Sequence, residues 1–354
     1  MRRLVLAAVL LSACAQLGPD LSSASRSPAV ASPSSAATAT AGTSGAATTA
    51  PSGTPDVAAV KLVEFPVGRG QGPHDVAPAP DGGVWYTAQR TGELGYLDPK
   101  TGVTRMVKLG SGSAPHGVIV GPDGNPWITD GGLNAIVRVD ARTNEVTRYP
   151  LPGANVNLNT ATFDRNGTLW FTGQSGYYGY VKEGRATVLS APRGAGPYGI
   201  STCPNGNVYF ASLAASYVGM MNLSSTTVAT ADPPTKGQGA RRVWCDSRSN
   251  VWVSEWNAGQ VAQFQTESGY TSWREWKLPG ANPMAYAVYV DDQDTVWLTD
   301  FGANAVVRFD PRNETFASYP HPLPNAAVRQ LLGRPGEVWG AMSGQDKLLL
   351  IRTR

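Results

Sequence analysis

The sequence predicts an all-β protein, a seven-bladed β-propeller built from four-stranded antiparallel blades. The 354-residue chain contains 40 glycines and 27 prolines. Short β-prone runs alternate with turn residues, and no long amphipathic helical pattern follows the N-terminus. A unit of such runs occurs seven times, with four runs in each of the first six copies. A period of about 42 residues with four strands per unit is typical of propeller blades.

Residues 114–152 show the repeated unit most clearly, with four β-type runs separated by turn residues. The seventh unit ends at Arg354 after only three runs, and residues 59–67 resemble the missing fourth. We therefore expect the N-terminal strand to join the last blade and close the ring. The units align on one aromatic residue each, namely Trp85, Trp127, Trp170, Tyr209, Trp252, Trp297 and Trp339.

The first 14 residues resemble a bacterial lipoprotein signal peptide. Two arginines precede an apolar run that is too short to span a bilayer, and the segment ends in a lipobox-like Leu-Ser-Ala-Cys. We expect lipidation of Cys14 and an exported protein anchored to a bacterial membrane on its extracytoplasmic side; the alternative is an ordinary cleaved signal. Residues 15–56 have the composition of a disordered tether before a propeller at residues 57–354.

Composition limits the partners and the redox chemistry. The net charge of +3 is too small to indicate nucleic acid binding. We expect a monomer that binds a small molecule or a cyclic peptide. The three cysteines lack zinc spacing. Cys203 and Cys245 lie one repeat apart, so they form either a disulfide, which export would permit, or two buried free thiols.

Two positions that recur in every unit, one before the aromatic residue and one after it, predict a polar site at one mouth of the central channel. We call them the first and the second register position. Because a purely structural slot at the start of a buried strand is often apolar, polar residues there in every unit favour a binding site. The alternative is that they hydrogen-bond neighbouring blades. The first position holds His74, His116, Asn159, Tyr198, Arg241, Tyr286 and Arg329. The second holds Ala88, Asp130, Gly173, Ser212, Glu255, Asp300 and Met342. Further polar candidates are Asp75, Asn157, Arg242, Trp256, Asn257, Tyr289, Asn304 and Gln330.

The residue types suggest two kinds of chemistry. His74 and His116 share a register in adjacent units and should be neighbours, whereas His321, in a proline-rich connection, should be exposed. With Asp130, the pair could bind a divalent metal or supply a general base, or it could be a hydrogen-bonded structural pair. The candidate metal ligands are Asp130, Glu255 and Asp300. The candidate substrate-binding residues are Asn159, Tyr198, Arg241, Glu255, Trp256, Tyr286, Asp300 and Arg329.

The repeated motif resembles that of the virginiamycin B lyase (streptogramin B lyase) family. One copy reads Pro115-His116-Gly117-Val118, Pro122-Asp123-Gly124 and Trp127-Ile128-Thr129-Asp130, and another begins Pro197-Tyr198-Gly199-Ile200. The resemblance covers nearly all of residues 60–354. It implies a seven-bladed propeller that confers antibiotic resistance by linearising a cyclic depsipeptide through magnesium-dependent β-elimination at an ester.

The resemblance also implies a catalytic set that this chain lacks at the usual positions, where Tyr286, Arg329 and Ser343 stand. His74, His116 and Asp130 resemble that set rotated around the ring. Either histidine would then be the base, with Mg²⁺ held by Asp130 and by Glu255 or Asp300. Arg241 or Arg329 would stabilise negative charge. The alternatives are a non-enzymatic propeller lipoprotein that binds a cell-wall fragment or a peptide, and a calcium-dependent lactonase-like hydrolase.

Overall fold

A computed structural model describes residues 60–267 and 270–354 of the chain. In these ranges 28 strands form seven antiparallel sheets of four strands each, which confirms the predicted seven-bladed propeller. These ranges contain no helix long and apolar enough to cross a membrane. The predicted signal peptide, the predicted lipidation at Cys14 and the predicted tether lie outside the described residues.

The first six blades are each formed by four consecutive strands. Strand β1 (Lys61–Pro66) belongs to the last blade. The strands of blades 1 and 2 are β2 (Pro73–Pro78), β3 (Val84–Ala88), β4 (Glu93–Leu97), β5 (Thr104–Lys108), β6 (Pro115–Val120), β7 (Pro126–Asp130), β8 (Ala135–Val139) and β9 (Val146–Pro150). Those of blade 3 are β10 (Leu158–Phe163), β11 (Leu169–Gly173), β12 (Tyr177–Lys182) and β13 (Arg185–Ser190). Those of blades 4 to 7 are β14 (Pro197–Thr202), β15 (Val208–Ser212), β16 (Tyr217–Met221), β17 (Val228–Ala231), β18 (Ala240–Cys245), β19 (Val251–Glu255), β20 (Gln260–Glu267), β21 (Tyr270–Lys277), β22 (Ala285–Val290), β23 (Val296–Asp300), β24 (Ala305–Asp310), β25 (Thr315–Pro320), β26 (Val328–Arg334), β27 (Glu337–Met342) and β28 (Lys347–Arg352).

The N-terminal strand closes the ring, as the sequence predicts. Strand β1 pairs antiparallel with β28 and becomes the fourth strand of blade 7. The carboxylate of Asp346 accepts hydrogen bonds from the N–H groups of Gly70 and Gly72, which follow β1. The innermost strands of neighbouring blades contact one another around the whole circle, including β26 with β2. Each innermost strand is the edge of its own sheet, but the closed ring turns these edges toward the central channel and so protects them.

The aromatic residue is buried in six of the seven repeats, and in blades 2, 3, 5 and 6 an aspartate before it accepts a hydrogen bond from its indole N–H. Trp85, Trp252, Trp297 and Trp339 are at most 1% exposed. The indole N–H of Trp252 donates to Asp246, and that of Trp297 donates to Asp291, at 3.1 and 2.8 Å. The same carboxylates accept turn amides. The Asp-to-Trp spacing of the motif therefore fixes a turn against the core and needs no bound ion.

A β-bulge interrupts every innermost strand at the same place. The register shifts inside Pro73–Val76, Pro115–Gly117, Leu158–Ala161, Pro197–Ile200, Ala240–Arg242, Ala285–Val288 and Val328–Leu331. Each bulge contains the polar residue of the first register position. Because a bulge leaves its extra residue unpaired and re-aims the side chain, it explains how all seven polar groups can reach the channel.

A hydroxyl two residues after the aromatic ties most neighbouring blades together. Thr87 Oγ1 accepts the N–H of Asp75 at 3.0 Å and donates to the carbonyl of His116 in the next blade at 2.8 Å. Thr129 and Ser254 make the same two contacts in blades 2 and 5. Blade 4 has alanine at this position, Ala211.

Other groups join the blades where the hydroxyl is missing. A disulfide between Cys203 and Cys245 joins blades 4 and 5, with the Cα atoms 5.3 Å apart. Blade 7 also has alanine at the hydroxyl position, and there Gln330 Oε1 accepts the N–H of Val76 in blade 1 at 2.9 Å. Of the two cysteine alternatives left open by the sequence, the structure contains the disulfide.

Candidate functional site

The seven polar bulge residues meet in one hydrogen-bonded and stacked cluster, which we call the channel ring. Five of them are at least 92% buried, whereas Arg241 and Arg329 are only partly buried. The two arginines therefore lie where the ring meets solvent. The channel ring consists of His74, His116, Asn159, Tyr198, Arg241, Tyr286 and Arg329.

His74 and His116 are neighbours, as predicted, with ring centres 3.8 Å apart. His74 Nδ1 lies 2.8 Å from Asp75 Oδ1, and the Asn159 amide lies 3.3 Å from His116 Nε2. These partners fit neutral rings, with His74 donating from Nδ1 and His116 accepting at Nε2. Burial lowers the pKa of both histidines well below its usual value. The charge of Arg329 lowers the pKa of His74 further, and the repulsion that a protonated His74 would exert lowers that of His116.

Asp75 and Arg242 form a buried ion pair across the channel, between blades 1 and 5. The Arg242 guanidinium donates to Asp75 Oδ1 at 3.0 Å and to Oδ2 at 3.3 Å. Asp75 is 1% exposed and Arg242 is 5% exposed. Both residues immediately follow a channel-ring residue, within or at the end of the bulge. A buried pair of this kind depends on mutual compensation, because either charge alone would be strongly destabilised.

The other half of the ring is a cluster of tyrosines and arginines. The hydroxyls of Tyr198 and Tyr286 lie 2.8 Å apart. Arg241 donates to the Tyr198 hydroxyl at 2.8 Å, and its guanidinium carbon lies 3.6 Å from the centre of the Tyr286 ring. Arg329 donates to the Tyr286 hydroxyl at 3.4 Å. With Arg242, three guanidinium groups surround the channel and only Asp75 offsets them, so the site favours anions.

The same charges act on the tyrosine hydroxyls. Burial alone would raise the pKa of Tyr286, but Arg241, Arg329, Arg242 and the hydrogen bond from Tyr198 outweigh it and lower the pKa to about 7. Burial raises the pKa of Tyr198 to about 12, against the opposing effect of Arg241. The pair thus has a preferred ionised form, in which a Tyr286 phenolate accepts a hydrogen bond from Tyr198.

The acidic residues of the second register position serve their own loops. Asp130 accepts from Ser113 Oγ at 2.5 Å and from the N–H groups of Ala114 and Leu133 at 2.9 and 3.0 Å. Glu255 accepts from Gln260 at 2.6 Å. Asp300 accepts from the N–H groups of the residues around it. The predicted grouping of Asp130 with the two histidines is wrong, because the carboxylate beside them is Asp75.

The predicted magnesium site does not fit these residues. In the described ranges, one group of three potential ligands lies close together, His74, Asp75 and His116, with ligand atoms within 4.8 Å of one another. Asp130, Glu255 and Asp300 do not form such a group. Mg²⁺ prefers oxygen ligands, whereas this cluster offers two imidazoles. Its single carboxylate is already bound to Arg242, so the channel offers no fitting set of ligands for Mg²⁺.

Glu255 makes stability depend on pH. Burial raises its pKa to about 8, although the hydrogen bond from Gln260 acts in the opposite direction. The folded protein therefore retains a proton that the unfolded chain has already lost, and stability should fall as pH rises from about 4.5 to about 8. We expect Glu255→Gln to flatten this dependence and to raise stability at pH 8 by up to a few kcal/mol. Urea unfolding of both proteins across this range measures the effect, and parallel pH profiles would contradict it.

Several other predicted residues are placed by the structure. Ser343 accepts from Arg329 Nε at 2.7 Å and thereby holds that guanidinium. Trp256 lies beside Arg241, whose guanidinium carbon is 4.8 Å from the indole centre.

The predicted exposure of His321 is wrong, since the residue is 7% exposed. It occupies the slot after the fourth strand where other blades bury leucine. Side chains with contacts outside the ring are Asn257, Tyr289 and Asn304, and Asn157 hydrogen-bonds through its backbone N–H and carbonyl.

The fold and the site define a seven-bladed β-propeller in which every blade contributes a residue to one polar cluster in the channel. A sequence profile of the virginiamycin B lyase family matches residues 60–348. The chain therefore belongs to the virginiamycin B lyase family.

Solved structures agree in fold. A streptogramin B lyase is 22% identical, with a TM-score of 0.76 over 83% of this chain and 97% of that chain. The virginiamycin B lyase of Staphylococcus aureus is 21% identical, with a TM-score of 0.77 over 84% and 100%, and a catalytically inactive form has been solved with quinupristin. The extracellular domain of a putative two-component system of B. thetaiotaomicron is 15% identical, with a TM-score of 0.66 over 83% and 43%. At these identities the likeness shows the fold alone. No curated protein matches the sequence significantly.

Proposed function

We propose that this protein is a carbon–oxygen lyase that opens a cyclic ester, such as a depsipeptide, by β-elimination at the channel mouth. Tyr286 is the base, and Arg241 and Arg329 stabilise the developing negative charge. One observation carries the proposal. The Tyr286 hydroxyl lies between the Tyr198 hydroxyl and Arg329, with the Arg241 guanidinium against its ring. Membership of a lyase family supports the same class of reaction.

The arrangement matches what β-elimination requires. The Tyr286 phenolate removes the proton from the carbon next to a carbonyl group, and the carbonyl oxygen gains negative charge. The electron pair then forms the carbon–carbon double bond while the adjacent carbon–oxygen bond breaks and releases a carboxylate. No water is consumed, and the proton on Tyr286 returns to solvent. Guanidinium groups at the mouth favour both the enolate and the departing carboxylate.

In this mechanism the histidine pair has a structural role and holds neighbouring parts of the channel ring together. His74 donates to Asp75, which is bound to Arg242, and His116 accepts from Asn159. Both rings are more than 90% buried, as Tyr286 is, so their hydrogen-bond partners and not their burial distinguish them from the proposed base. A rival assignment, in which His74 or His116 is the base, makes an opposite prediction for mutants. Under the rival, His116→Asn abolishes turnover and Tyr286→Phe does not.

Mass spectrometry of a quinupristin digest tests the reaction. Elimination opens the ring without changing the molecular mass, whereas hydrolysis adds one water. We expect a chromatographically new product of unchanged mass, formed equally well in the presence of EDTA. A product that carries an added water would instead indicate a lactonase-like hydrolase, and activity that EDTA abolishes would contradict the metal-independent site.

A non-enzymatic binding function is the second candidate. It is favoured by the ring's own hydrogen bonds, since Ser343 and Tyr286 already hold Arg329. In that case the two arginines at the mouth would bind an anionic ligand, such as a peptide or cell-wall fragment with a free carboxylate. Saturable binding of quinupristin without any product would support this candidate over the lyase.

We also propose export and lipid anchoring through Cys14. The disulfide between Cys203 and Cys245 supports this, because stable disulfides belong to oxidising compartments. Changing Cys14 to serine should move the protein from the membrane fraction to the soluble extracytoplasmic fraction of a bacterial host. Unchanged membrane association of the variant would contradict lipidation at this residue.

A further inference from the structure

A second polar cavity lies between blades 6 and 7. Its volume is about 130 Å³, enough for several water molecules or a hydrated ion. Phe301 lines the cavity and also stacks on Tyr286, with ring centres 4.5 Å apart, so the cavity adjoins the channel ring. His321 and Asp300 both line this cavity.

His321 occupies a slot that other blades fill with an apolar side chain. Its backbone N–H donates to the Asn304 carbonyl at 2.9 Å, as that of Leu151 does to Asn134 in blade 2. Leu151 and Leu278 are buried at this position. His321 is equally buried, and neither ring nitrogen has a hydrogen-bond partner within the described ranges. Such an imidazole is costly unless a ligand uses its lone pair.

Asp300, which also lines the cavity, has a buried carboxylate oxygen without a protein partner in the described ranges. Its Oδ1 accepts from the N–H of Met284 at 2.8 Å and from that of Gly302 at 2.8 Å, whereas Oδ2 has no protein partner in the described part of the chain. Asp130 is the matching residue in blade 2, and its Oδ2 accepts from Ser113. Blade 6 has Pro283 in place of that serine. Proline has no group that could donate to Oδ2.

We propose that this cavity binds a divalent transition-metal ion, with Zn²⁺ the best match, through His321 and Asp300. Both groups offer lone pairs, and Asp300 carries the only formal charge among the lining residues, so a cation is favoured over an anion. An imidazole nitrogen with a carboxylate oxygen suits Zn²⁺, whereas Mg²⁺ and Ca²⁺ prefer oxygen alone. Two protein ligands leave the remaining positions for water. The proposal is independent of the lyase proposal.

Calorimetric titration of the full chain with ZnCl₂ tests the site in four proteins, the wild type and three variants. His321→Leu installs the residue found in other blades and should fold. Asp300→Asn keeps Oδ1 as an acceptor. His116→Asn removes a ligand of the competing group in the channel. We expect saturable Zn²⁺ binding in the wild type and in His116→Asn. In the other two variants affinity should fall at least about tenfold, the loss seen even for outer-sphere changes.

Three results would overturn the proposal. Absence of saturable Zn²⁺ binding in the wild type would show that the cavity holds water alone. Equal affinity in all four proteins would show adventitious binding elsewhere. Loss confined to His116→Asn would assign the ion to the channel histidines. If His321→Leu fails to fold by circular dichroism, the Asp300→Asn comparison decides the matter by itself.

Discussion

Replacing Tyr286 with phenylalanine is expected to lower turnover of a cyclic-ester substrate by about 10²–10⁴-fold, the usual contribution of a positioned general base. The change removes one oxygen atom and keeps the stacking on Phe301. Because the base must be ionised, kcat/KM of the wild type should rise with pH through the Tyr286 pKa of about 7. Steady-state kinetics across this range measure both effects.

Two variants serve as controls for Tyr286. Trp256→Phe alters an aromatic neighbour of Arg241 without removing a ring hydroxyl, so it should leave the pH profile in place. Arg329→Lys retains a positive charge but loses the hydrogen-bonding geometry toward Tyr286 and Ser343, and it should raise the pH at which activity appears. Full activity of Tyr286→Phe would remove this residue from the mechanism and return the question to His74 and His116.

Removing the Arg242 guanidinium is expected to destabilise the fold by about 3–5 kcal/mol, because Asp75 would remain charged and buried. The pair crosses the channel from blade 5 to blade 1, so its loss affects the ring as a whole. Urea unfolding of Arg242→Ala measures the cost. Adding Asp75→Asn to this variant should recover part of the stability, since the uncompensated charge disappears.

A surface ion pair supplies the matched control. Arg138 and Asp123 form a salt bridge whose side chains are 24% and 36% exposed. Arg138→Ala should cost about 0–1 kcal/mol, the range for exposed pairs. If Arg242→Ala costs no more than this control, the buried pair does not hold the channel together.

The repeat in the sequence predicts the architecture well because a propeller is periodic. The position of each blade follows from its aromatic residue, and the short last unit predicts closure by the N-terminal strand. The same alignment places His74 beside His116, since residues at the same register position of adjacent blades are neighbours in space. It cannot predict contacts across the channel. Asp75 and Arg242 meet because their blades lie on roughly opposite sides of the ring and the arginine side chain is long enough to cross it.

The errors at the candidate site have physical causes. Asp130 shares a register with Glu255 and Asp300, but a carboxylate at the end of a strand satisfies the loop amides beside it before it reaches the channel. The bulge, which re-aims the first register position, has no clear signature in the sequence. The burial of His321 could have been predicted, because Leu151 and Leu278 hold the same place relative to the fourth strand.

Spectrophotometric titration of tyrosine ionisation tests the central claim most directly, that the channel ring places the Tyr286 hydroxyl among guanidinium groups. The difference between wild type and Tyr286→Phe should show one phenolate per chain forming near pH 7. Because the signal arises from the channel ring itself, it should appear in the absence of substrate. If the difference appears only around the ordinary tyrosine pKa of about 10, the arginines do not act on Tyr286, and neither the proposed base nor its mechanism stands.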